Sequence, residues 1–179
     1  MSEILRFCAD VHLGKLAWML RMLGFDTFYK NDLSSEELYQ IARNENRYLL
    51  SKSAYFKTFC DIDFYQIDCS DPKQQVKDVI TQFNLFNLLN PFTRCLYCNQ
   101  ILEKKDKVEV ENELLPQTKK DFSEFWKCTS CNRVYWKEFH YERMIKQIEE
   151  IHLRGNGLSI SQLTIHHSLF AIHYSTIHS

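Results

Sequence analysis

The sequence predicts an α/β fold, with a parallel sheet covered by helices on both faces, followed by a small four-cysteine module. Strand-like and helix-like segments alternate through residues 1–90, and such alternation is typical of a parallel sheet. Asn90-Pro91 then marks a boundary, since the chain beyond it has a different pattern. Two Cys-x-x-Cys pairs follow, Cys95–Cys98 and Cys128–Cys131, and this arrangement predicts a compact metal-binding module.

The first elements each have a local signal. Leu5–Ala9 has a short strand pattern that ends in Asp10. From Leu13 apolar residues recur at helical spacing, and Gly24 closes the run in the manner of a helix C-cap. Asp26–Tyr29 follows and is predicted to be the second strand.

The second half of this region begins with Ser34 and Glu37, whose spacing predicts a capping box at a helix start. The remaining predicted elements are a strand over Tyr48–Ser51, a short helix over Ala54–Phe59, a strand over Phe64–Ile67 and a helix beginning near Pro72. We therefore predict an α/β domain over residues 1–90.

A second domain is predicted over residues 91–152. Between the cysteine pairs, Lys107–Glu113 has an alternating character, and Val134–Trp136 is strand-like. Residues 140–151 have the apolar spacing of a closing helix. Residues 153–179 form an extension of uncertain order. Four of the seven histidines lie there, so a second metal site is one alternative to an ill-ordered or strand-adding tail.

The two cysteine pairs are separated by twenty-nine residues, an interval that suits a zinc ribbon with a hairpin between the knuckles. Four thiolates supply a tetrahedral structural Zn²⁺ site, and nearby Arg94, Lys127 and Arg133 would offset its negative charge. The alternative is a disulfide or redox pair, which we disfavour because neither knuckle contains a catalytic His or Asp. Trp126 and Trp136 are assigned to the ribbon core, with stacking on bases as the alternative.

The three remaining cysteines, Cys8, Cys60 and Cys69, are an odd number, which indicates reduced thiols and a cytoplasmic location. The opening residues have no basic region typical of a signal peptide. No apolar run approaches the roughly 18 residues of a membrane span.

The net charge of −1 excludes a strongly basic nucleic-acid-binding chain. RNA contact would therefore need a local patch, and six lysines around the ribbon could form one: Lys104, Lys105, Lys107, Lys119, Lys120 and Lys127. An ordinary solvated face with interspersed acids is an equally good interpretation.

Acidic residues are expected beyond the carboxyl ends of the strands, where sites form in open α/β sheets. Asp10 directly follows the first strand, and Glu36 and Glu37 open the helix after the second. Such carboxylates could hold Mg²⁺ or Mn²⁺ for phosphodiester hydrolysis. Helix capping is the alternative for all three, because helix N-termini favour acids. Asp26 begins the second strand, at the opposite edge, and is interpreted as structural.

Several segments resemble the Mut-seven C-terminal RNase domain family. They include Phe7–Ala17, Leu20–Thr27, Arg47–Lys52, Phe92–Asn99, Cys128–Cys131 and Val134–Met144. The resemblance covers roughly residues 4–146. It implies a PIN-like nuclease fold followed by a zinc ribbon, with metal-dependent ribonuclease activity in which Asp10 is the main metal ligand and Glu36 or Glu37 a helper.

Two carboxylates of the family pattern are replaced by serine hydroxyls, at Ser35 and Ser53. Ser35 stands where the family has an Asp at the start of the second helix, and Ser51-Lys52-Ser53 stands where it has Thr-Arg-Asp. Asp68 and Asp71 could substitute for the missing carboxylates. If the edge is a reduced nuclease site, Ser35 and Ser53 should lie near Asp10, with Lys52 close by. The alternative function is therefore a catalytically reduced RNA-binding module.

Overall fold

The computed structural model describes residues 5–91 and 93–136. The chain divides into two compact units between Asn99 and Gln100. The first contains a four-stranded sheet and the second a three-stranded sheet. Within the described part, no helix has the length and apolar character needed to cross a membrane. The predicted closing helix over residues 140–151 and the extension over 153–179 lie outside the described residues, and the domain limits at residues 90 and 152 stay predictions.

The sheet of the first unit is parallel throughout, with the strand order β2-β1-β3-β4. Its strands are β1 (Arg6–Ala9), β2 (Asp26–Phe28), β3 (Tyr48–Ser51) and β4 (Phe64–Gln66). Its helices are α1 (Gly14–Met22), α2 (Ser35–Asn44) and α3 (Pro72–Gln82), and a 3₁₀ turn spans Ala54–Thr58. The predicted α/β fold with a parallel sheet is confirmed.

Consecutive residues of β1 pack on opposite faces of the sheet, as the alternation of side chains along a strand requires. Cys8 lies in a buried cluster with Leu38 and Ala42 of α2. On the other face the ring of Phe7 contacts Phe25 and Phe83, with centroids 6.4 and 5.4 Å away. Helices therefore cover both faces of the sheet, as the sequence predicts.

The second unit contains an antiparallel sheet of β5 (Leu102–Lys105), β6 (Phe125–Cys128) and β7 (Val134–Trp136). Two short helices separate β5 from β6: α4 (Lys107–Val110) and α5 (Pro116–Asp121). The alternating pattern of Lys107–Glu113 thus belongs to helical turns rather than to a strand, because Asp106 and Glu109 form a capping box there.

Both tryptophans of the second unit are buried, as predicted for ribbon core residues. Trp126 and Trp136 are each 6% exposed. Trp136 packs with Val110, Leu114 and Phe125 in the core of this small unit. Large aromatic side chains such as Trp136 matter in so small a core, because each buries more apolar surface than an aliphatic residue does.

Gly24 ends α1 with φ +93°, a conformation that glycine adopts without steric cost. A Cβ at this position would lie 2.1 Å from the backbone oxygen of Asn90. We predict that Gly24→Ala lowers the free energy of unfolding by at least about 1–3 kcal/mol from the backbone conformation alone. Denaturant unfolding followed by circular dichroism measures the difference.

Gly14→Ala is the matched control for that substitution. Its added Cβ would meet the hydroxyl end of Tyr29, at 2.7 Å, and a side chain can move where a backbone carbonyl cannot. We expect Gly14→Ala to be the milder change. Equal stability of Gly24→Ala and the native protein would contradict the role assigned to this turn.

Candidate metal centre and sheet-edge site

The four cysteines of the two knuckles form one cluster. The sulfur atoms of Cys95, Cys98, Cys128 and Cys131 all lie within 4.8 Å of one another. Cys95 and Cys128 are buried, and Cys98 and Cys131 are half-buried. Among the described residues this is the one group of three or more potential ligands placed to hold a metal ion.

The first knuckle has a backbone that directs its two sulfurs to one side. The amide of Cys98 donates to Cys95 Sγ at 3.5 Å, and the amide of Asn99 donates to the Cys95 carbonyl at 2.8 Å. Asn99 has φ +72°, in the left-handed region that asparagine tolerates better than most residues. The turn is therefore closed immediately after its second cysteine.

The second knuckle repeats this geometry. The amide of Cys131 donates to Cys128 Sγ at 3.5 Å, and the amide of Asn132 donates to the Cys128 carbonyl at 2.9 Å. Asn132 has φ +59°. Asparagine after the second cysteine is a signal shared by both knuckles that the sequence analysis did not use.

The donor set fits a metal such as zinc. Four thiolates are the ligands of a closed structural Zn²⁺ site, and Zn–S bonds of about 2.3 Å in a tetrahedron place sulfurs about 3.8 Å apart. Amide donors to sulfur stabilise the thiolate form that binds metal. Two of the three expected offsetting cations contact carboxylates: Arg94 contacts Asp26 at 3.5 Å, and Lys127 contacts Glu113 at 2.6 Å.

A buried arginine of α1 holds the backbone of the first knuckle. Arg21 is 4% exposed, and its Nη1 donates to the carbonyls of Leu96 and Tyr97 at 3.0 and 2.8 Å. Its Nε donates to the Thr27 carbonyl at 2.9 Å. Because a planar guanidinium fixes several acceptors at once, Arg21 links the knuckle to α1 and β2. Its role was not found from the sequence.

Asp26 is the second anchor of this knuckle, in keeping with its predicted structural role. Its Oδ1 accepts from Arg47 Nη1 at 2.6 Å and from Asn99 Nδ2 at 2.7 Å, and Oδ2 contacts Arg94 at 3.5 Å. Burial alone would raise the pKa of Asp26. The hydrogen bonds from Arg47 and Asn99 and the arginine charges outweigh burial, so this pKa lies below its usual value.

The lysines proposed as an RNA-binding patch lie among acids and carbonyls of the second unit. Lys104 pairs with Glu124 at 2.7 Å, and Lys107 donates to the Lys119 carbonyl. The other ion pairs are Lys105 with Glu103 and Glu109, Lys119 with Glu111, and Lys127 with Glu113. This alternation of charge favours the interpretation of an ordinary solvated face.

Asp10 lies at the carboxyl end of β1, beside the end of β3. It is 8% exposed. Its Oδ2 accepts from Ser51 Oγ at 2.5 Å, and its Oδ1 accepts from the amide of His12 at 2.8 Å. The order β2-β1-β3-β4 reverses direction between β1 and β3, and ligands of open α/β sheets bind at such switch points. The sheet therefore presents one buried carboxylate where a site is expected.

Glu36 and Glu37 lie in the first turn of α2, where both are exposed. Glu37 Oε2 accepts from the amide and the hydroxyl of Ser34, completing the predicted capping box, and these hydrogen bonds lower the pKa of Glu37. Glu36 Oε1 accepts from Gln40 at 2.9 Å. Neither belongs with Asp10 to a group of three potential ligands in the described residues. Their catalytic assignment stays a prediction.

The other acids of this edge also have local partners. Asp71 caps α3 by accepting from the amide of Gln74 at 3.0 Å. Asp68 accepts from Gln66 Nε2 at 2.7 Å. Neither contact brings these carboxylates to Asp10, so their substitution for the missing acids stays a prediction.

The sequence analysis noted Ser51 as part of the altered family pattern but did not predict its contact with Asp10. Its hydroxyl donates to Asp10 and accepts from the amide of Ser53 at 3.0 Å. Ser53 in turn caps the 3₁₀ turn by accepting from the amide of Tyr55 at 3.2 Å. The adjacency of β1 and β3 was the signal that could have identified Ser51, since their last residues must meet at one edge.

A family model, Mut7-C RNAse domain, matches residues 5–148. Searches of curated proteins and of solved structures gave no match. The matched range contains β1 to β7, the four cysteines and the sheet edge at Asp10.

The lowered pKa of Asp26 predicts an acid-sensitive contribution to stability. The unfolded carboxyl titrates near the ordinary aspartate pKa of 3.8. The contribution is therefore present above that pH and is lost as the pH falls through the lower pKa of the folded state. We expect Asp26→Asn to lower the free energy of unfolding at pH 7 by about 1–2 kcal/mol. It should also flatten the pH dependence below about pH 4.

Urea unfolding at pH 7 and at pH 3 provides the test. The matched control is Asp63→Asn, the same charge change at an exposed position. All variants lose any cysteine-bound metal alike in acid, so differences between variants report the carboxylate itself. An Asp26→Asn profile identical to that of Asp63→Asn would show that the Asp26 contacts contribute nothing.

Proposed function

The chain belongs to the Mut7-C RNAse domain family, and from this premise we propose that it is a PIN-like, metal-dependent ribonuclease with a structural zinc ribbon. The observation that carries the proposal is the buried Asp10 carboxylate at the switch point between β1 and β3. RNA is the substrate class that the family description supports. We propose the cytoplasm as its compartment, in accord with the free thiols of Cys8, Cys60 and Cys69.

Asp10 is the residue proposed to hold Mg²⁺ or Mn²⁺ at the sheet edge, with Glu36 or Glu37 as helper. A divalent ion bound there would polarise the scissile phosphate and increase the acidity of water. Each Asp10 oxygen accepts one hydrogen bond from the protein and keeps a further lone pair for a ligand. Ser51 and the His12 amide fix the orientation of the carboxylate, which limits the entropy lost on metal binding.

Zinc is proposed at Cys95, Cys98, Cys128 and Cys131. The support is the matched geometry of the two knuckles and the proximity of the four sulfurs. A Zn²⁺ ion in such a closed site takes no part in hydrolysis, because it has no open coordination position. Its proposed role is to stabilise the ribbon.

A second function, an RNA-binding module with reduced catalysis, is favoured by a separate observation. Ser35 and Ser53 occupy positions where the family pattern has carboxylates, and the described residues form no group of three acids around Asp10. In this reading the sheet edge positions a strand of RNA without cutting it. Both functions require RNA binding, so cleavage decides between them.

The nuclease proposal predicts that RNA cleavage depends on both Asp10 and Mn²⁺ or Mg²⁺. Asp10→Asn keeps one oxygen that can accept from the His12 amide, and its Nδ2 can donate to Ser51 Oγ in place of the lost acceptor. The fold should therefore be retained while the charge is lost. We expect cleavage of a labelled single-stranded RNA to fall at least about 100-fold, the scale on which single electrostatic catalytic groups act. Asp63→Asn, at the opposite end of β4, is the matched control and should cleave normally.

The reduced-module reading predicts a different pattern in the same assay. The native chain would bind RNA without cation-dependent cleavage, and Ser35→Asp with Ser53→Asp would raise Mn²⁺ binding, measured by calorimetry, together with activity. Cleavage that survives Asp10→Asn would contradict the nuclease site. Inactivity of both the native and the doubly substituted chain would indicate that Asp10 is only a helix cap.

The zinc proposal predicts about one equivalent of Zn²⁺ per chain by elemental analysis of protein purified without chelators. Cys128→Ser should reduce that content below half an equivalent and destabilise the second unit, because structural Zn²⁺ contributes on the order of 10 kcal/mol to folding. Cys60→Ser is the matched control, since Cys60 is exposed and outside the cluster. Less than half an equivalent of zinc in the native protein would contradict the assignment.

A further inference from the structure

An aromatic side chain projects from the turn that follows the Asp10–Ser51 contact. Tyr55 lies in the 3₁₀ turn Ala54–Thr58 and is 51% exposed. Isolated exposed aromatic residues are common on proteins, so exposure alone shows nothing. The surroundings of Tyr55 are more informative: ring contacts support its side chain, hydrogen bonds connect its backbone to Asp10, and two lysines flank it in sequence.

The ring of Tyr55 is held by other aromatic rings. It makes edge contacts with Phe56 and Phe59, with centroids 5.3 Å away in each case. Phe59 lies 4.5 Å from Tyr39 of α2, whose hydroxyl donates to Asp61 at 2.8 Å. Tyr55 is therefore a supported ring with about half of its surface available, which lowers the entropy lost when another ring stacks on it.

Hydrogen bonds tie the backbone of Tyr55 to the proposed site. Asp10 accepts from Ser51, Ser51 accepts from the Ser53 amide, and the Ser53 hydroxyl accepts from the Tyr55 amide. Thr58 closes the turn by donating from its hydroxyl to the Tyr55 carbonyl at 2.8 Å. The position of Tyr55 is thus fixed by a chain of contacts that begins at the Asp10 carboxylate.

Two cations flank Tyr55 in sequence. Lys52 and Lys57 are exposed, and in the described part of the chain no ion pair joins either of them to a carboxylate. Three of the ribbon lysines differ, because Lys104, Lys119 and Lys127 each pair with a glutamate. Phosphates would have to compete with glutamates for those three lysines, but not for Lys52 and Lys57.

We propose that Tyr55 is a stacking platform for a base of single-stranded RNA, with Lys52 and Lys57 contacting the neighbouring phosphates. Stacked bases on an aromatic side chain beside cations are the general chemistry of single-strand recognition. The platform would place the strand next to Asp10. This inference rests on the proposed RNA-directed function and adds to it the preference for unpaired RNA and the residues that recognise it.

Binding of a fluorescein-labelled 12-nucleotide oligouridine, measured by anisotropy without added divalent cations, tests the platform apart from cleavage. Tyr55→Leu retains apolar contact with Phe56 and Phe59 but removes the stacking ring, and we expect about tenfold weaker binding. Tyr55→Trp should bind at least as tightly as the native chain. Both variants should have the melting temperature of the native protein. If they do, a purely structural role of Tyr55 would not explain a difference in RNA affinity between Tyr55→Leu and Tyr55→Trp.

The lysines are tested by the salt dependence of the same binding. Lys52→Gln with Lys57→Gln should reduce the slope of log K against log salt by about 1.4, at about 0.7 for each phosphate contact to a single strand. Lys104→Gln is the matched control and should leave the slope unchanged. Tyr97→Leu is the matched aromatic control, at a tyrosine that is 58% exposed on the first knuckle.

The outcomes separate this inference from the proposed function. Native affinity of Tyr55→Leu, or equal losses in Tyr55→Leu and Tyr97→Leu, would overturn the platform even if Asp10-dependent cleavage is found. Weaker binding by Tyr55→Leu without any cleavage by the native chain would support the platform and favour the reduced RNA-binding module. If the native chain does not bind the oligouridine at low salt, both the platform and the proposed RNA-directed function are overturned. If it binds a fully paired RNA duplex as tightly as the oligouridine, only the platform is overturned.

Discussion

The contacts of the Asp26 carboxylate connect three separate segments of the first unit. The carboxylate accepts from Arg47, which precedes β3, and from Asn99, which closes the first knuckle, and it contacts Arg94. Removing one partner of a half-buried ion pair leaves the other charge uncompensated. The resulting loss of folding free energy is larger than the net contribution of the intact pair. One side chain at the start of β2 therefore fixes both a central strand and a cysteine pair.

The two ends of the parallel sheet thus have different chemistry. At the amino end, Asp26 and Arg21 hold the first knuckle through hydrogen bonds to side chains and carbonyls. At the carboxyl end, Asp10 accepts from uncharged donors, the Ser51 hydroxyl and the His12 amide, and no neutralising arginine is bonded to it within the described residues. A carboxylate in that condition can still accept a cation, whereas the charge of Asp26 is already balanced.

Local signals explain which elements could be predicted from sequence. The capping box at Ser34, the strand Tyr48–Ser51 and the C-cap at Gly24 each depend on residues close in the chain, and all were found. Lys107–Glu113 was ambiguous because an alternating pattern of only seven residues fits a strand and a helical turn equally well. The Arg21 contacts to the knuckle span 75 and 76 residues, so no local pattern could reveal them.

The same distinction applies to the candidate site. Asp10 was found because a strand end is a local feature, but its bond to Ser51 depends on β1 and β3 being neighbours in the sheet. Mg²⁺ commonly binds through one or two carboxylates together with water and substrate phosphate. A site with one oriented carboxylate is therefore compatible with weak metal binding in the absence of RNA and tighter binding in its presence. Among the described residues no group of three potential ligands includes Asp10. In the proposed nuclease, the phosphates of a correctly placed RNA strand would therefore supply further ligands to the ion.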